Sequence, residues 1–420
     1  MPDTPDTAAA DPRQPRPMTR LAVGVVCLTL AAAGWLGTVH LWFTPAATTF
    51  HRDTAIAPRA HELASYQLEL WSDDQQRQAT QDQMRIANAE WDFMGRTFLV
   101  LALCNMALHE PGEQERYLAI VDRIIDETLA VEAAHGQLHY LMPYATYGVY
   151  HNPTGRSIFV DGEISLMLAA RQAVSPSDAL APKLKQRIDA VAAQLSAGPI
   201  TCSESYPDEC WMFCNSAAVA AIVLSDFADG RDHRGLIDTW FANVRKRLTD
   251  PETGLLVSSF TYGGNHLDGP EGTSIYFTAH MLQLIDPDYA QAQYATARKH
   301  LGDSFLGFGY AHEWPASWRG PADIDSGPIV PVLDISTGAS GMAILGAAAF
   351  DDDKTLAALL AMLEFAAFPV RDGDTRRYAA SNQVGDAVLL YALVQGPLWE
   401  RVLNGPGPAQ ASDATEASDE

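Results

Sequence analysis

Between residues 54 and 404, apolar side chains recur at three- and four-residue spacing almost without interruption. No stretch alternates convincingly as a strand does, so the pattern predicts an all-α domain. A second rhythm separates two kinds of helix. Residues 113–134 place Tyr117, Val121, Ile124 and Leu129 on one side, with acids and arginines mostly elsewhere. Residues 178–196 (Leu184, Ile188, Val191) and 233–249 (Ile237, Trp240, Val244) repeat that amphipathic design. The segments between them, 98–108, 210–225, 272–285, 336–350 and 387–395, have almost no charge, as buried helices do. Twelve helices result, near 54–75, 82–108, 113–134, 158–174, 178–196, 211–229, 233–249, 271–285, 287–303, 336–350, 352–368 and 382–402, with every second one buried. Six hairpins of one inner and one outer helix describe a closed α/α toroid over residues 54–403; a two-domain helical bundle is the alternative. The long aromatic and glycine-rich links precede the inner helices and the short ones follow them. They therefore gather at one mouth, where the inner N-termini also point.

The ends depart from this rhythm. Leu21 to Phe43 is a run of 23 residues without formal charge, enough at ~1.5 Å per residue to cross a ~30 Å hydrocarbon layer. Arg13, Arg16 and Arg20 precede it, which favours a cytoplasmic N-terminus and an extracytoplasmic domain held at the inner membrane. A cleaved signal peptide ending near Thr44-Pro45-Ala46 competes with that reading, although the apolar stretch exceeds the usual signal core. Residues 1–20, rich in Pro and Asp, and the low-complexity acidic stretch 404–420 read as disordered tails.

Charge narrows the partners. A formal net charge of −24 repels nucleic acid. Five cysteines are too few for a disulfide scaffold, and neither cysteine nor histidine spacing matches a metal site. No phosphate-binding loop or nucleophile elbow appears, so the expected chemistry uses side chains alone, without cofactor. In an oxidising compartment a 202–210 or a 210–214 bridge is open to the remaining cysteines.

Four places carry candidate chemistry. Asp92 lies between Trp91 and Phe93, where desolvation raises an acid's pKa, but Arg96 one turn on offers a plain ion pair. Asp161-Gly162-Glu163 opens an inner helix, as catalytic acids or as caps. Cys210, Trp211, Phe213 and Cys214 run from a turn into another inner helix, where a thiol gains acidity or else fills the core. Tyr276 and His280 share a third, as ligand donors or as core. Asp323-Ile324-Asp325-Ser326 resembles the acidic motif of carbocation-initiating cyclases with serine in the last place, and Asp325 reads as lining the mouth. Asp351-Asp352-Asp353 reads as a helix cap, and Tyr310 to Trp314 as an aromatic wall.

At these residues the chain resembles the linalool dehydratase/isomerase family, periplasmic cofactor-free enzymes with an α/α toroid that hydrate, dehydrate and isomerise a monoterpene alcohol. The likeness spans roughly 80–400. It is carried by Pro207-Asp208, Cys214-Asn215-Ser216 and its apolar helix, Asp250-Pro251 with Gly254, and the helix around 274–279. It implies that Asp92, Cys214 and Tyr276 take the family's aspartate, second cysteine and later tyrosine. Phe98 replaces an expected tyrosine, Glu163 a histidine and Ser205 the first cysteine, with Cys210 close by but out of register. The family assembles as rings, so the resemblance points toward a homo-oligomer.

Dehydrating an alcohol needs an acid at the hydroxyl and a base at the adjacent carbon, roles that Asp92 and Glu163 divide in this reading. Tyr276 and Cys214 then orient the hydroxyl or relay a proton, against a wall of Trp91, Phe93, Phe98, Trp211 and Phe213. The expected function is a membrane-anchored lyase or isomerase acting on a small apolar, terpenoid-like alcohol or alkene. A carbohydrate-active toroid enzyme with paired acids and a non-catalytic ligand-binding relative are the alternatives. An enclosed apolar pocket favours the first reading, and an open groove with polar rims and exposed tryptophans favours the sugar enzyme.

Overall fold

The computed structural model describes residues 17–50, 55–321 and 326–405. The proposed disordered tails fall mostly outside that range, as does Asp325. In chain order the α-helices are α1 (Pro17–Leu36), α2 (Pro58–Ser72), α3 (Asp74–Ala87), α4 (Ala89–His109), α5 (Gln114–His135), α6 (Ile158–Val174), α7 (Ala181–Ala197), α8 (Met212–Asp229), α9 (Arg234–Arg247), α10 (Gly272–Leu282), α11 (Pro287–His300), α12 (Thr337–Ala349), α13 (Asp353–Ala366), α14 (Gln383–Val394) and α15 (Pro397–Asn404).

The even-numbered helices from α4 to α14 pack each on the next, and α14 returns to α4, closing a ring. Their sequences explain why: all of α6 is buried, and so is α4 from Phe98 to Ala107. Small residues set the spacing. A Cβ on Gly162 of α6 would sit 3.0 Å from Ala218 of α8, so glycine permits the close approach of these two helices. Outside the ring, α5 turns Tyr117, Val121 and Ile124 inward, α7 does so with Leu184, Ile188 and Val191, and α9 with Trp240 and Val244. Helix α2 covers the junction of α14 with the hairpin at 369–378.

Two expected helices are broken, each for a local reason. Asn88 splits the expected 82–108 helix: its backbone is extended, and its side chain accepts from the Glu90 N–H to cap α4. Gly396, at φ 123°, and Pro397 divide 382–402 into α14 and α15. Asp352 caps α13, as the triple aspartate suggests. The links hold short strands that an alternation test misses. The hairpin Gly302–Phe305 with Phe308–Ala311 turns on Leu306 and Gly307, both at positive φ, and is joined by Ile335–Ser336 and Ile329–Val330. Two-residue strands pair Cys210–Trp211 with Ser259–Phe260.

The apolar N-terminal run is not one helix. Helix α1 begins before it and ends at Leu36, with mean hydropathy 1.7 and none of its apolar window buried. A turn at Val39–Trp42 then packs against α13. The comparably apolar α8 is 72% buried and belongs to the ring. All five cysteines are free thiols, so neither expected bridge is formed.

Candidate functional site

A cavity of about 670 Å³ opens at the inner helix N-termini, the mouth that the link lengths predict. Asn88, Glu90, Trp91 and Met94 reach it from the first turns of α4, Phe159 from α6, Phe213 and Cys214 from α8, and Glu271, Thr273 and Ser274 from the start of α10. From α12 it continues past Met342 and Ile344, and from α14 past Asp386 and Leu389, to Leu359, Met362 and Phe365 on α13. One flank is therefore polar and aromatic, the other aliphatic.

At the polar flank the Tyr206 hydroxyl donates to Glu90 and accepts from the Met142 N–H at 3.0 Å. Tyr206 stacks on Tyr144 with ring centroids 4.4 Å apart, and the Trp211 indole N–H donates to Glu209. Burial, and then the charge of Glu90, push the Tyr206 phenol far up, so it remains a donor.

Asp386 is a carboxyl in the cavity with a strongly raised proton affinity. It is 4% exposed, and burial lifts it to about 7 against the opposing pull of the Tyr378 N–H and the Ser381 hydroxyl. Its Oδ1 has no hydrogen-bond partner. Such a group holds a proton near neutrality and releases it without a large cost. Glu163 stands behind the lining beside Cys214. It is fully buried, neither oxygen has a hydrogen bond of ordinary geometry, and burial pushes it up to about 8.

Of the residues the sequence singled out, Trp91, Trp211, Phe213 and Cys214 line the cavity. Cys214 is not an activated nucleophile, because burial raises its thiol well above the ordinary value and Glu163 and Glu90 add to the effect. The remainder need correction. Asp92 turns away from the cavity and binds Arg96 at 3.0 Å, where Arg96 also meets Glu127 at 2.9 Å, so the ion-pair reading holds. Phe93 is stacked on Tyr140 and edge-on to Phe159, and Phe98 is edge-on to Phe277; both are core. Ser205 is buried, its hydroxyl accepting from the Trp211 N–H at 3.3 Å, and Cys210 is buried in its strand. Tyr276 packs against Gly346 and Tyr294, and His280 joins Tyr391 at 2.7 Å while stacking on Trp399. None of these lines the cavity.

Two other motifs are structural. Asp161 is bound by Arg156 at 2.6 Å, by Gln194 at 2.6 Å and by Arg187. Glu313 accepts from the Thr273 N–H at 3.1 Å and from the Ser336 hydroxyl at 2.5 Å, tying the starts of α10 and α12 together.

Sequence reasoning missed Glu90, Glu271 and Asp386. The signal was there: each is an acid just before or within the first turn of an almost uncharged helix, the feature that drew attention to Glu163. Among the described residues no group of three His, Cys, Asp or Glu side chains is arranged to hold a metal ion.

No family model matches the chain. Among solved structures it is similar to a GH76 α-mannanase from Bacteroides thetaiotaomicron, with 13% identity, a TM-score of 0.44 and coverage of 74% of this chain and 87% of that one. It is also similar to a possible member of the GH105 family from Salmonella enterica, with 15% identity, a TM-score of 0.44 and coverage of 71% and 82%. At that distance the likeness decides nothing about chemistry.

Proposed function

We propose that the chain is a membrane-anchored enzyme that adds or removes water at, or isomerises, a largely apolar alcohol or alkene by acid–base catalysis. The observation that carries this reading is Asp386, a carboxyl near pKa 7 with an unpartnered oxygen, in the same largely aliphatic cavity as Glu90. In dehydration, protonated Asp386 donates to the leaving hydroxyl as the C–O bond breaks and water departs. Glu90, steadied by Tyr206, takes a proton from the adjacent carbon as the double bond forms. The transferred protons leave Asp386 ionised and Glu90 neutral, and the reverse reaction restores them. Asp386 and Glu90 thus take the acid and base roles expected of Asp92 and Glu163, and Glu163 becomes a reserve of protonated carboxyl behind Cys214. The anchor is α1, whose apolar length and full exposure suit a bilayer.

A second reading, a carbohydrate-active enzyme, is favoured by the polar flank alone, where Trp91, Trp211 and the Tyr144–Tyr206 stack surround Glu90 as in a sugar subsite. Incubating the full-length protein in detergent with terpenoid alcohols and, separately, with oligosaccharides, followed by mass spectrometry of the products, decides between them. Loss or gain of 18 mass units (one water) in the alcohols, abolished by Asp386→Asn, is expected. Shortened oligosaccharides with unchanged alcohols sink the first reading.

A further inference from the structure

The aliphatic flank of the cavity does not end inside the protein. Phe365 on α13 and Val330 on the strand Ile329–Val330 are cavity wall and outer surface at once, 48% and 44% exposed. Close to them in the chain, Val332 and Phe368 project with 100% and 65% exposure, and Phe305, 52% exposed, lies on the strand paired with the one that packs on α13. Soluble proteins seldom leave such an apolar rim facing water.

The chain itself indicates what covers it. The Phe43 ring packs edge-on against Phe365 at 5.1 Å and lies 6.2 Å from Phe308, and His40 is edge-on to Phe308. Gly307 makes room for that imidazole, since a Cβ there would fall 2.4 Å from it. His40 lies four positions beyond Leu36, the end of α1, a reach of at most about 14 Å. If α1 lies in a bilayer, a premise taken from the proposed function, the face bearing Phe365 lies at the headgroups. The net charge of −24 offers anionic lipid no attraction, so the contact is apolar.

We infer that this rim rests on the membrane and that the cavity opens there into lipid, so that the substrate is a membrane-dissolved amphiphile. Its apolar chain lies along Met362 and Leu363, and its polar head reaches Asp386 and Glu90. The two-sided lining fits such a molecule better than a wholly apolar or wholly polar one.

The test uses the full-length chain in phosphatidylcholine vesicles. Bimane is attached to Val332→Cys or Phe368→Cys in a Cys27→Ser background, with phospholipids brominated high on the acyl chain as quenchers; the other cysteines are buried. The control is Leu403→Cys on α15, which packs on α4 and α6 rather than on α13. Quenching several-fold stronger at 332 and 368 than at 403 is expected. Equal, weak quenching at all three, with a label on the native Cys27 strongly quenched, overturns the inference and leaves the anchor intact. An unquenched Cys27 label removes the anchor and the inference together. A diazirine-bearing long-chain alcohol dissolved in the same bilayer should, on irradiation, label peptides containing Met362 and Leu389. Adducts confined to α1 refute the portal. Val332→Glu with Phe368→Glu should lower the cavity adducts several-fold without altering the thermal melt.

Discussion

Asp92 and Asp386 are both nearly buried aspartates near the start of an inner helix, yet their surroundings give them opposite roles. Asp92 has a guanidinium at 3.0 Å, whereas Asp386 has one orphaned oxygen and a cavity in front of it. Replacing Asp92 by Asn leaves Arg96 with Glu127 alone. It should cost about 3 kcal/mol of stability, the low end for breaking a buried pair, with activity per folded molecule unchanged. Replacing Asp386 by Asn should do the reverse. The shift from 3.8 to about 7 corresponds to a cost of up to roughly 4 kcal/mol at pH 8, which the neutral side chain relieves, while the loss of a general acid lowers kcat by about 10²–10⁴. Urea melts at pH 8 alongside turnover of whichever alcohol is converted check both. Full activity in Asp386→Asn would remove it from the chemistry.

At the scale of elements, the ring depends on how closely the inner helices approach, and glycines show where that approach is tightest. A Cβ on Gly272, at the start of α10, would lie 2.6 Å from the Ala339 Cβ of α12 and 2.6 Å from the His312 carbonyl oxygen, which is backbone and cannot step aside. Gly272→Ala should therefore cost about 1–3 kcal/mol. Gly95 meets α14 at an ordinary 3.6 Å, so Gly95→Ala should be neutral or stabilise by about 0.5–1 kcal/mol through helix propensity. Paired denaturant melts test the contrast. The same scale explains what was legible in the sequence. The alternation of charged and uncharged helices announces the ring, because burying a helix on all sides requires removing its charges. The strands escaped notice because four residues or fewer give no period to detect. Flanking aromatics single out Asp92 and leave Glu90 unmarked because they signal burial and not direction: two positions along a helix turn a side chain by roughly 200°, which sends Glu90 to the cavity and Asp92 to Arg96. Gly346 and Tyr294 likewise draw Tyr276 outward, a contact between distant segments that no local pattern encodes.

For the whole molecule, these burials set a pH dependence of stability. Glu163, raised from 4.5 to about 8, and Asp386, raised from 3.8 to about 7, keep protons in the fold that the unfolded chain releases. Between about pH 4 and 8 each makes the fold less stable as pH rises, by roughly 1.4 kcal/mol per unit while inside its own window; below about pH 4 neither costs anything. Two kinds of group act in the other direction. Burial depresses His280 to about 4, so the unfolded chain binds a proton there that the fold refuses, and stability falls as pH drops from about 6.5. Burial pulls Glu132 up, but Arg187 and Arg156 more than offset it, and stability from this lowered carboxyl disappears as the pH falls through its folded value. From about pH 4.5 to 6.5 the histidine partly offsets the two raised carboxyls. Above that it is spent, and they act alone while the negative charge of the molecule grows. The melting temperature should therefore be highest near pH 4–4.5, fall gently up to about 6.5 and fall more steeply between about 6.5 and 8. Glu163→Gln keeps the buried shape and removes the titration, so its curve should run parallel to the parent's below about pH 4.5 and flatten above it, whatever constant offset the amide introduces. Calorimetric scans from pH 4 to 9 on both proteins measure the slopes directly. A parent Tm that still rises from pH 6 to 9, or a Glu163→Gln curve parallel to it throughout, would mean that Glu163 is ionised in the fold and that its surroundings are more polar than this cavity wall.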